Sequence, residues 1–334
     1  MITYNDAIIS IPQGQKPSIL LANGFSQAWD HTIFNYKYLL QAAEFGDRST
    51  PIKELFKRLN TYDFEKVMKR LVSTQLVLEI YDADPQLIAK VKQDQEVLKS
   101  ALISAISNTH PPLPNNVTDE QYISARTFLS QFTQIFTLNY DLLLYWARNK
   151  NNLPPEYYST NDGFGGYPLQ WRGNGSGQQV HFLHGGLHLY DTVSGVKKHK
   201  CTEDGVPIID QVRNNLENGK FPLFVAEPTY EKKRARIEHN PYLNYCFRKL
   251  RSLRDTLFIY GHSIADNDSH IFEEIKHSQV EKVFISIYGD AESKENQMTM
   301  MRAKNQLFGF DIEFFQAETT PIWAAVEAES PHIP

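Results

Sequence analysis

Phe136-Thr137-Leu138-Asn139-Tyr140-Asp141 decides how this chain is read. The apolar run from Gln134 to Leu138 ends in two polar residues spaced by one, and apolar residues resume at Leu142-Leu143-Leu144-Tyr145-Trp146. A buried strand, a tight turn and a helix fit that pattern. In an open parallel sheet such a turn stands at the carboxyl end of a strand, where these folds bind ligands. Asn139 and Asp141 would then point into the crevice. Both residue types also favour plain turns through local hydrogen bonds, so this segment alone leaves a turn and a ligand site equally open.

Upstream, Ser18 to Ala22 reads as a first strand, followed by Asn23-Gly24-Phe25-Ser26. Gly24 would let the backbone approach a ligand without a Cβ in the way. Ser26 would cap a following helix, whose free N–H groups favour a phosphate. A single glycine there also fits an ordinary turn. Residues 28–45 are aromatic-rich and read as partly helical, and residues 52–131 as almost wholly helical. Leu55, Leu59, Phe64, Val67, Met68 and Leu71 follow helical spacing. Asp84-Pro85 opens a helix expected to run to Ile106, with Pro at the first helical position. Ser107 to Asn116 reads as a loop, and Thr118 with Gln121 as a capping box for a helix ending near Phe132. Asp63-Phe64-Glu65 is read as one helical turn with a buried Phe rather than as a catalytic group.

Downstream, Asn151 to Gly177 is rich in Gly, Pro and Asn and reads as loop. Its glycine cluster lacks the Lys-Ser/Thr of a P-loop. Val180 to Leu183 is a short apolar run ending in His184-Gly185-Gly186. His181, His184 and His188 invite a metal reading, but the two glycines break any helix that would align them, and no Cys or carboxylate stands at ligand spacing. No metal is therefore expected. His184 reads either as a partly exposed acid/base group or as a structural histidine. Ser194 to Lys220 reads as polar surface, Phe221 to Ala226 as a strand, and Glu231 to Arg236 as a solvated basic face rather than a phosphate or nucleic-acid contact. Asn240-Pro241 opens a helix with Leu243, Phe247, Leu250 and Leu253 on one face. Thr256 to Tyr260 is a strand running into Gly261-His262-Ser263-Ile264-Ala265-Asp266, and Asp268 would cap a helix from Ser269 to His277. A strand from Val283 to Tyr288, a helix over 292–307, a strand over 311–315 and a last helix capped by Thr320-Pro321 complete the chain. Alternating strands and helices are the mark of a parallel sheet built from βαβ units.

Composition bounds the function. The chain has 334 residues, 41% hydrophobic and 22% charged, a globular composition with ample material for a core. The net charge of −5 offers no global basic field for nucleic acid or an anionic membrane. No apolar stretch approaches the ~20 residues of a bilayer span, and the N-terminus lacks a signal-peptide pattern. Two distant cysteines, Cys201 and Cys246, make neither a disulfide framework nor a zinc pair. The expected compartment is a reducing cytoplasm.

The four strand-end turns Ala22-Asn-Gly-Phe-Ser26, Thr137-Leu-Asn-Tyr-Asp141, His184-Gly185 and Gly261-His-Ser-Ile-Ala-Asp266, in this order, resemble the sirtuin-like family. More closely they resemble its zinc-free bacterial branch, whose members hydrolyse NAD⁺ in anti-phage defence. The resemblance covers about residues 18–45, 134–190 and 256–316. It implies an α/β fold with a Rossmann-like, mostly parallel sheet flanked by helices. It also implies one discontinuous domain, about 1–45 and 134–334, with a large helical insertion at about 46–132 after the first strand. Asn23, Gly24 and Ser26, with Phe25 between them, match the family's pyrophosphate turn, although Ala22 replaces its first glycine. Asn139 matches the residue that contacts the nicotinamide-side ribose and positions water, and Asp141 the carboxylate that holds the carboxamide, with Thr137 preceding them. His184 and Gly185 match the family's His-Gly beside the ribose hydroxyls. Gly261 and Ser263 match its Gly-x-Ser near the phosphates and adenosine ribose, with Asp266 in the same turn; Tyr288 and Gly289 occupy the adenine-side strand end. The arginine-bearing segment and the zinc ribbon of the deacylases are missing, and two lone cysteines cannot supply four thiolates.

The function this implies is NAD⁺ glycohydrolysis to nicotinamide and ADP-ribose, with Asn139, Asp141 and His184 as catalytic residues, NAD as substrate and no metal. Such an enzyme would be gated by homo-oligomer formation or by a partner, an ATPase or a nucleic-acid sensor by analogy, with the helical insertion as the interaction surface. The rival expectations are a module that senses NAD⁺ or ADP-ribose without cleaving it, and an NAD-dependent deacylase or ADP-ribosyltransferase.

Overall fold

The computed structural model describes residues 1–324 apart from 32–35, 63, 112, 174, 201, 204–205, 218–221, 226 and 228. Seven segments form one sheet: β1 (Ser18–Leu21), β2 (Gln134–Thr137), β3 (Thr160–Asn161), β4 (Gln178–Phe182), β5 (Arg254–Tyr260), β6 (Gln279–Ile287) and β7 (Asp311–Gln316). Their spatial order is β7-β6-β5-β1-β2-β4-β3, and every neighbouring pair is parallel. The central strands are continuous apolar runs because helices cover both faces, so no position alternates towards water. Ile19, Leu20, Leu21, Ile135, Phe136, Leu257, Phe258 and Ile259 are all at most 1% exposed. This is the α/β fold with a parallel, helix-flanked sheet that the sequence predicts.

The register explains where a site has to be. Leu21 pairs with Thr137 on one side and with Tyr260 on the other, and Thr137 pairs with Phe182. The residues that follow these four positions therefore leave the sheet side by side. They are Ala22-Asn23, Leu138-Asn139, Leu183-His184 and Gly261-His262. The chain passes from β1 to β2 on one side and later enters β5 on the other, so strand order reverses beside β1. That reversal opens a crevice at the carboxyl ends of the strands.

Between β1 and β2 lie the helices Tyr36–Ala42, Ser49–Arg58, Phe64–Ile80, Pro85–Thr109 and Asp119–Ser130. The helix opened by Pro85 continues past Ile106 to Thr109. Thr118 and Gln121 form the expected capping box. Asp63 lies outside the described residues, and Phe64 is buried. His110, just past the long helix, ties this block to the sheet. Its Nδ1 bonds the carbonyl of Pro111 at 2.9 Å, which requires Nδ1–H, and its Nε2 accepts the Leu142 amide at 2.8 Å. Burial lowers its pKa to about 4, so the ring is neutral, as that pattern requires.

A second sheet corrects the reading of 151–177 as loop and 194–220 as surface. Segments Phe164–Gly165, Gln170–Trp171, Gly185–Thr192, Gly195–Lys198 and Pro222–Phe224 form a five-stranded antiparallel sheet. Val196, Ile208, Ile209 and Val212 are buried behind their polar neighbours. The strand expected over 221–226 is Pro222–Phe224, with Phe221 and Ala226 outside the described residues. Residues 317–319 are a short 3-10 turn and 320–324 are not helical; the remainder of the expected last helix lies outside the described residues.

A buried ion cluster clamps this second sheet to the first. Asp162 accepts from Arg148 Nη1 at 2.5 Å and from Lys198 Nζ at 2.7 Å. Burial alone would raise the Asp162 carboxyl, but the charges of Arg148 and Lys198 and the lysine hydrogen bond outweigh it and hold it at about 2. The folded value lies below the ordinary 3.8, so the cluster stabilises fully above about pH 4 and loses that contribution as pH falls towards 2. Asp162→Asn should cost about 3–5 kcal/mol by leaving two buried cations unpaired. Urea titrations at neutral pH should show this loss, and the variant should lack the share of acid-sensitive stability that Asp162 contributes.

Candidate functional site

The Asn139 turn is built by short-range bonds. The Asn139 amide N–H donates to Thr137 Oγ1 at 3.1 Å, and Leu143 N–H donates to Asp141 Oδ1 at 2.9 Å, starting the helix Leu143–Asn149. From the next strand end, the Ser26 hydroxyl donates to Asp141 Oδ2 and accepts from Asn139 Nδ2 at 2.8 Å. Ser26 has one proton and gives it to the carboxylate, so the Asn139 contact must come from the amide nitrogen. The amide oxygen of Asn139 is thereby fixed as its acceptor face. Burial raises the Asp141 pKa, opposed by Ser26 and the Leu143 N–H. Ser26 does not cap a following helix as expected. It sits inside the helix Asn23–Gln27, fully buried, and its work is to orient Asn139 and Asp141.

A second cluster surrounds Asp268. Lys233 Nζ donates to Asp268 Oδ1 at 3.0 Å, and His262 Nε2 stands 3.3 Å from Oδ2. His262 Nδ1 accepts the Ile264 amide at 2.7 Å, which leaves the ring proton on Nε2, facing the carboxylate. His184 Nε2 lies 3.9 Å from Asp268 Oδ1 and 3.2 Å from His270 Nε2. Burial would raise the Asp268 carboxyl, but the hydrogen bond from His262 and the charge of Lys233 hold it well below its ordinary value. Burial drives His184 well below the usual histidine range, and His270 to about 3. His184 is only 3% exposed, which corrects the expectation of a partly exposed group. Asp268 does not cap the helix Ser269–Ile275 with its side chain; that carboxylate serves the cluster.

Both clusters face one cavity of about 420 Å³, within the ordinary range of ligand pockets. Of the residues singled out in the sequence, Asn23, Asn139, Asp141, His184, Gly261 and Ser263 line it. The other expected site residues stand behind it or away from it. Phe25 packs on Trp323 in the core, and Thr137 is 1% exposed. Gly24 and Gly261 meet backbone to backbone: a Cβ on Gly24 would lie 2.4 Å from Gly261 Cα. The missing side chain of Gly24 is used by that crossing, not by approach to a ligand. Gly185 (φ +76°) plays the same part against Leu223, whose carbonyl would lie 2.0 Å from an added Cβ. Asp266 is exposed and accepts from Gln306 at 3.2 Å. Tyr288 is 77% exposed at the end of β6, and Gly289 donates its N–H to Glu318 at 2.5 Å.

Residue pattern alone missed part of the lining. The solvated basic face expected over 231–236 includes Lys233, yet Lys233 is 1% exposed and lines the cavity. Lys232, Arg234 and Arg236 on the same helix mask it, because one buried cation among several looks like any other. His262 sits inside the Gly261–Ser263 turn, where its type was a usable signal. Leu39, Phe64 and Leu102 bring the helices between β1 and β2 over the cavity, a contact no local pattern encodes.

The family described as a domain of unknown function, DUF4917, matches residues 19–323. The chain belongs to the DUF4917 family. No curated relative matches it. Among solved structures, this DUF4917 chain is similar to a mutant Sir2 homologue in complex with 2'-O-acetyl ADP ribose, at 13% identity over 92% of this chain and 99% of that one, TM-score 0.37. A mutant Sir2 homologue complex with ADP ribose gives 14% identity, 92% and 99% coverage and a TM-score of 0.37. A Sir2 homologue–NAD complex gives 12%, 91% and 96% coverage and a TM-score of 0.33. At such distance the function of this DUF4917 chain has to be read from its own side chains. No helix among the described residues is long and apolar enough to cross a membrane.

Proposed function

We propose that this DUF4917 chain is an NAD⁺ glycohydrolase that releases nicotinamide and ADP-ribose. One observation carries the reading: Asn23, Asn139, Asp141, His184, Gly261 and Ser263, from four strand ends far apart in sequence, line a single cavity where strand order reverses. They are six of the residues on which the sirtuin-like resemblance rests; Gly24, Ser26 and Gly185 of the same turns lie outside the lining.

Cleaving the bond between ribose C1' and the nicotinamide nitrogen passes through an oxocarbenium-like state. The bonding electrons leave with nicotinamide, water adds at C1', and one proton is released. In this reading the Asn139 amide oxygen, fixed by Ser26, accepts from water or a ribose hydroxyl. Asp141 supplies a buried negative charge near the developing cation and holds the carboxamide. Neutral His184 is a hydrogen-bond partner for the ribose hydroxyls. Lys233 and the Gly261–Ser263 turn face the phosphates, and Tyr288 and Gly289 the adenine side.

An ungated NAD⁺ hydrolase would exhaust its host, so we also propose a silent, cytoplasmic, triggered effector of anti-phage defence. Its gate would be self-association or a sensing partner, an ATPase or nucleic-acid sensor by family resemblance only. Leu76, Val77, Ile80 and Tyr81, between 52% and 80% exposed near the end of the helix Phe64–Ile80, support a docking role for the helical block.

Chromatography of purified protein with NAD⁺, alone and with phage-infected lysate, is expected to yield equimolar nicotinamide and ADP-ribose. ADP-ribose binding by calorimetry with no nicotinamide under any condition would instead identify a sensor. Label transferred from NAD⁺ to protein, or loss of acyl groups from a lysine peptide, would identify the third class.

A further inference from the structure

Two residues of the pocket wall, His184 and Asp268, meet His270 behind them, and the hydrolase reading gives a task only to His184. His184 Nε2 and His270 Nε2 face each other at 3.2 Å across nearly parallel rings. With an Asp268 carboxylate oxygen they form a group whose ligand atoms all lie within 4.8 Å of one another. Bonds of about 2.0–2.2 Å to a first-row divalent ion put adjacent ligands about 3.0–3.4 Å apart. The two imidazole nitrogens already meet that spacing. Asp268 Oδ1, at 3.9 Å from His184 Nε2, is about half an ångström too distant, a shift a side chain can make.

The support around the group is that of a metal ligand. His262 donates to the far oxygen, Oδ2, and is itself fixed by the Ile264 amide. Such an outer contact orients a ligating carboxylate, while the near oxygen, Oδ1, accepts from Lys233 at 3.0 Å and would share that bond with the ion. Two imidazoles and one carboxylate select zinc, manganese, iron or cobalt over calcium or magnesium, which take oxygen donors.

Charge then sets a condition. Lys233 already neutralises Asp268 across 3.0 Å. A divalent ion would add two positive charges to a largely buried site, which is costly unless an anion enters with it. We propose that His184, His270 and Asp268 bind one divalent transition-metal ion at the pocket wall, and that an anionic ligand in the same pocket strengthens its binding. The second half rests on the dinucleotide reading of the pocket; the first half does not.

The test uses the full chain, stripped with EDTA and titrated with Co²⁺ by calorimetry and visible absorption, with and without ADP-ribose. One Co²⁺ per chain is expected, with absorption bands of nitrogen and oxygen coordination and at least tenfold tighter binding when ADP-ribose is present. His270→Ala and Asp268→Asn should each weaken Co²⁺ binding at least thirtyfold, with thermal melting of the stripped proteins reporting that they fold. If His270→Ala does not fold, His270→Gln replaces it. Sub-stoichiometric Co²⁺ binding, or binding unchanged in both variants, overturns the site. Binding indifferent to ADP-ribose, where ADP-ribose itself binds, overturns the charge coupling. Co²⁺ binding with no ADP-ribose binding leaves the metal site standing and removes the dinucleotide reading instead.

Discussion

Gly261→Ala should destabilise the protein by about 2–5 kcal/mol and abolish ADP-ribose binding in whatever fraction still folds. Two effects add. The residue has φ +70°, where an alanine is strained by roughly 1–2 kcal/mol. Its Cβ would also lie 2.3 Å from Gly24 Cα, a backbone atom that cannot rotate away. Relief requires the turns after β1 and β5 to separate, and those turns carry Asn23, His262 and Ser263 of the pocket lining. Gly24→Ala meets the same crossing from the other side, 2.4 Å from Gly261 Cα, without the φ penalty. It should therefore cost less than Gly261→Ala. The double variant should cost less than the sum, because one separation relieves both clashes. Urea unfolding of the three variants measures this; an additive, mild series would show that the crossing is not tight in solution.

Asn139→Ala should reduce nicotinamide release by about 10³-fold, the usual loss when a preorganised polar group at a reacting centre is removed. Stability should fall by only about 1 kcal/mol, since one hydrogen bond to Ser26 is lost and the hydroxyl keeps its bond to Asp141. ADP-ribose affinity should change little by comparison, because the contact is worth most as charge develops at C1'. Ser26→Ala is the companion test. It removes no group from the pocket lining but frees both Asn139 and Asp141 to turn, so turnover should fall with little change in ADP-ribose affinity. Nicotinamide chromatography and calorimetry on the same preparations separate these effects. If Asn139→Ala retains more than about a tenth of wild-type turnover, its assigned role fails.

Six of the seven strands of the parallel sheet, all but Thr160–Asn161, were legible in the sequence for a physical reason. A parallel sheet covered on both faces favours short apolar runs, and Ile19–Leu21, Ile135–Phe136 and Leu257–Tyr260 supply them next to turn residues. The capping box at Thr118 and the Asn240-Pro241 helix start are likewise local chemistry, readable without a fold. The same holds for the polar residues at strand ends, whose neighbours along the chain mark them as turns. What the sequence determined was therefore most elements of the parallel sheet and the polar groups that end its strands.

Tertiary structure decided what those groups face. Polar composition hid the antiparallel sheet at 164–224, because Val196 and Lys198 are buried by strands from other parts of the chain. Ser26 and Asp268 carry the residue types of helix caps, yet partners 115 and 35 residues away claim their oxygens. Lys233 is indistinguishable by pattern from its exposed neighbours until the chain closes around it. Backbone preference acts over a few residues and can be read along the sequence. Burial and ion pairing act through space, so only the assembled register of β1, β2, β4 and β5 could assign them.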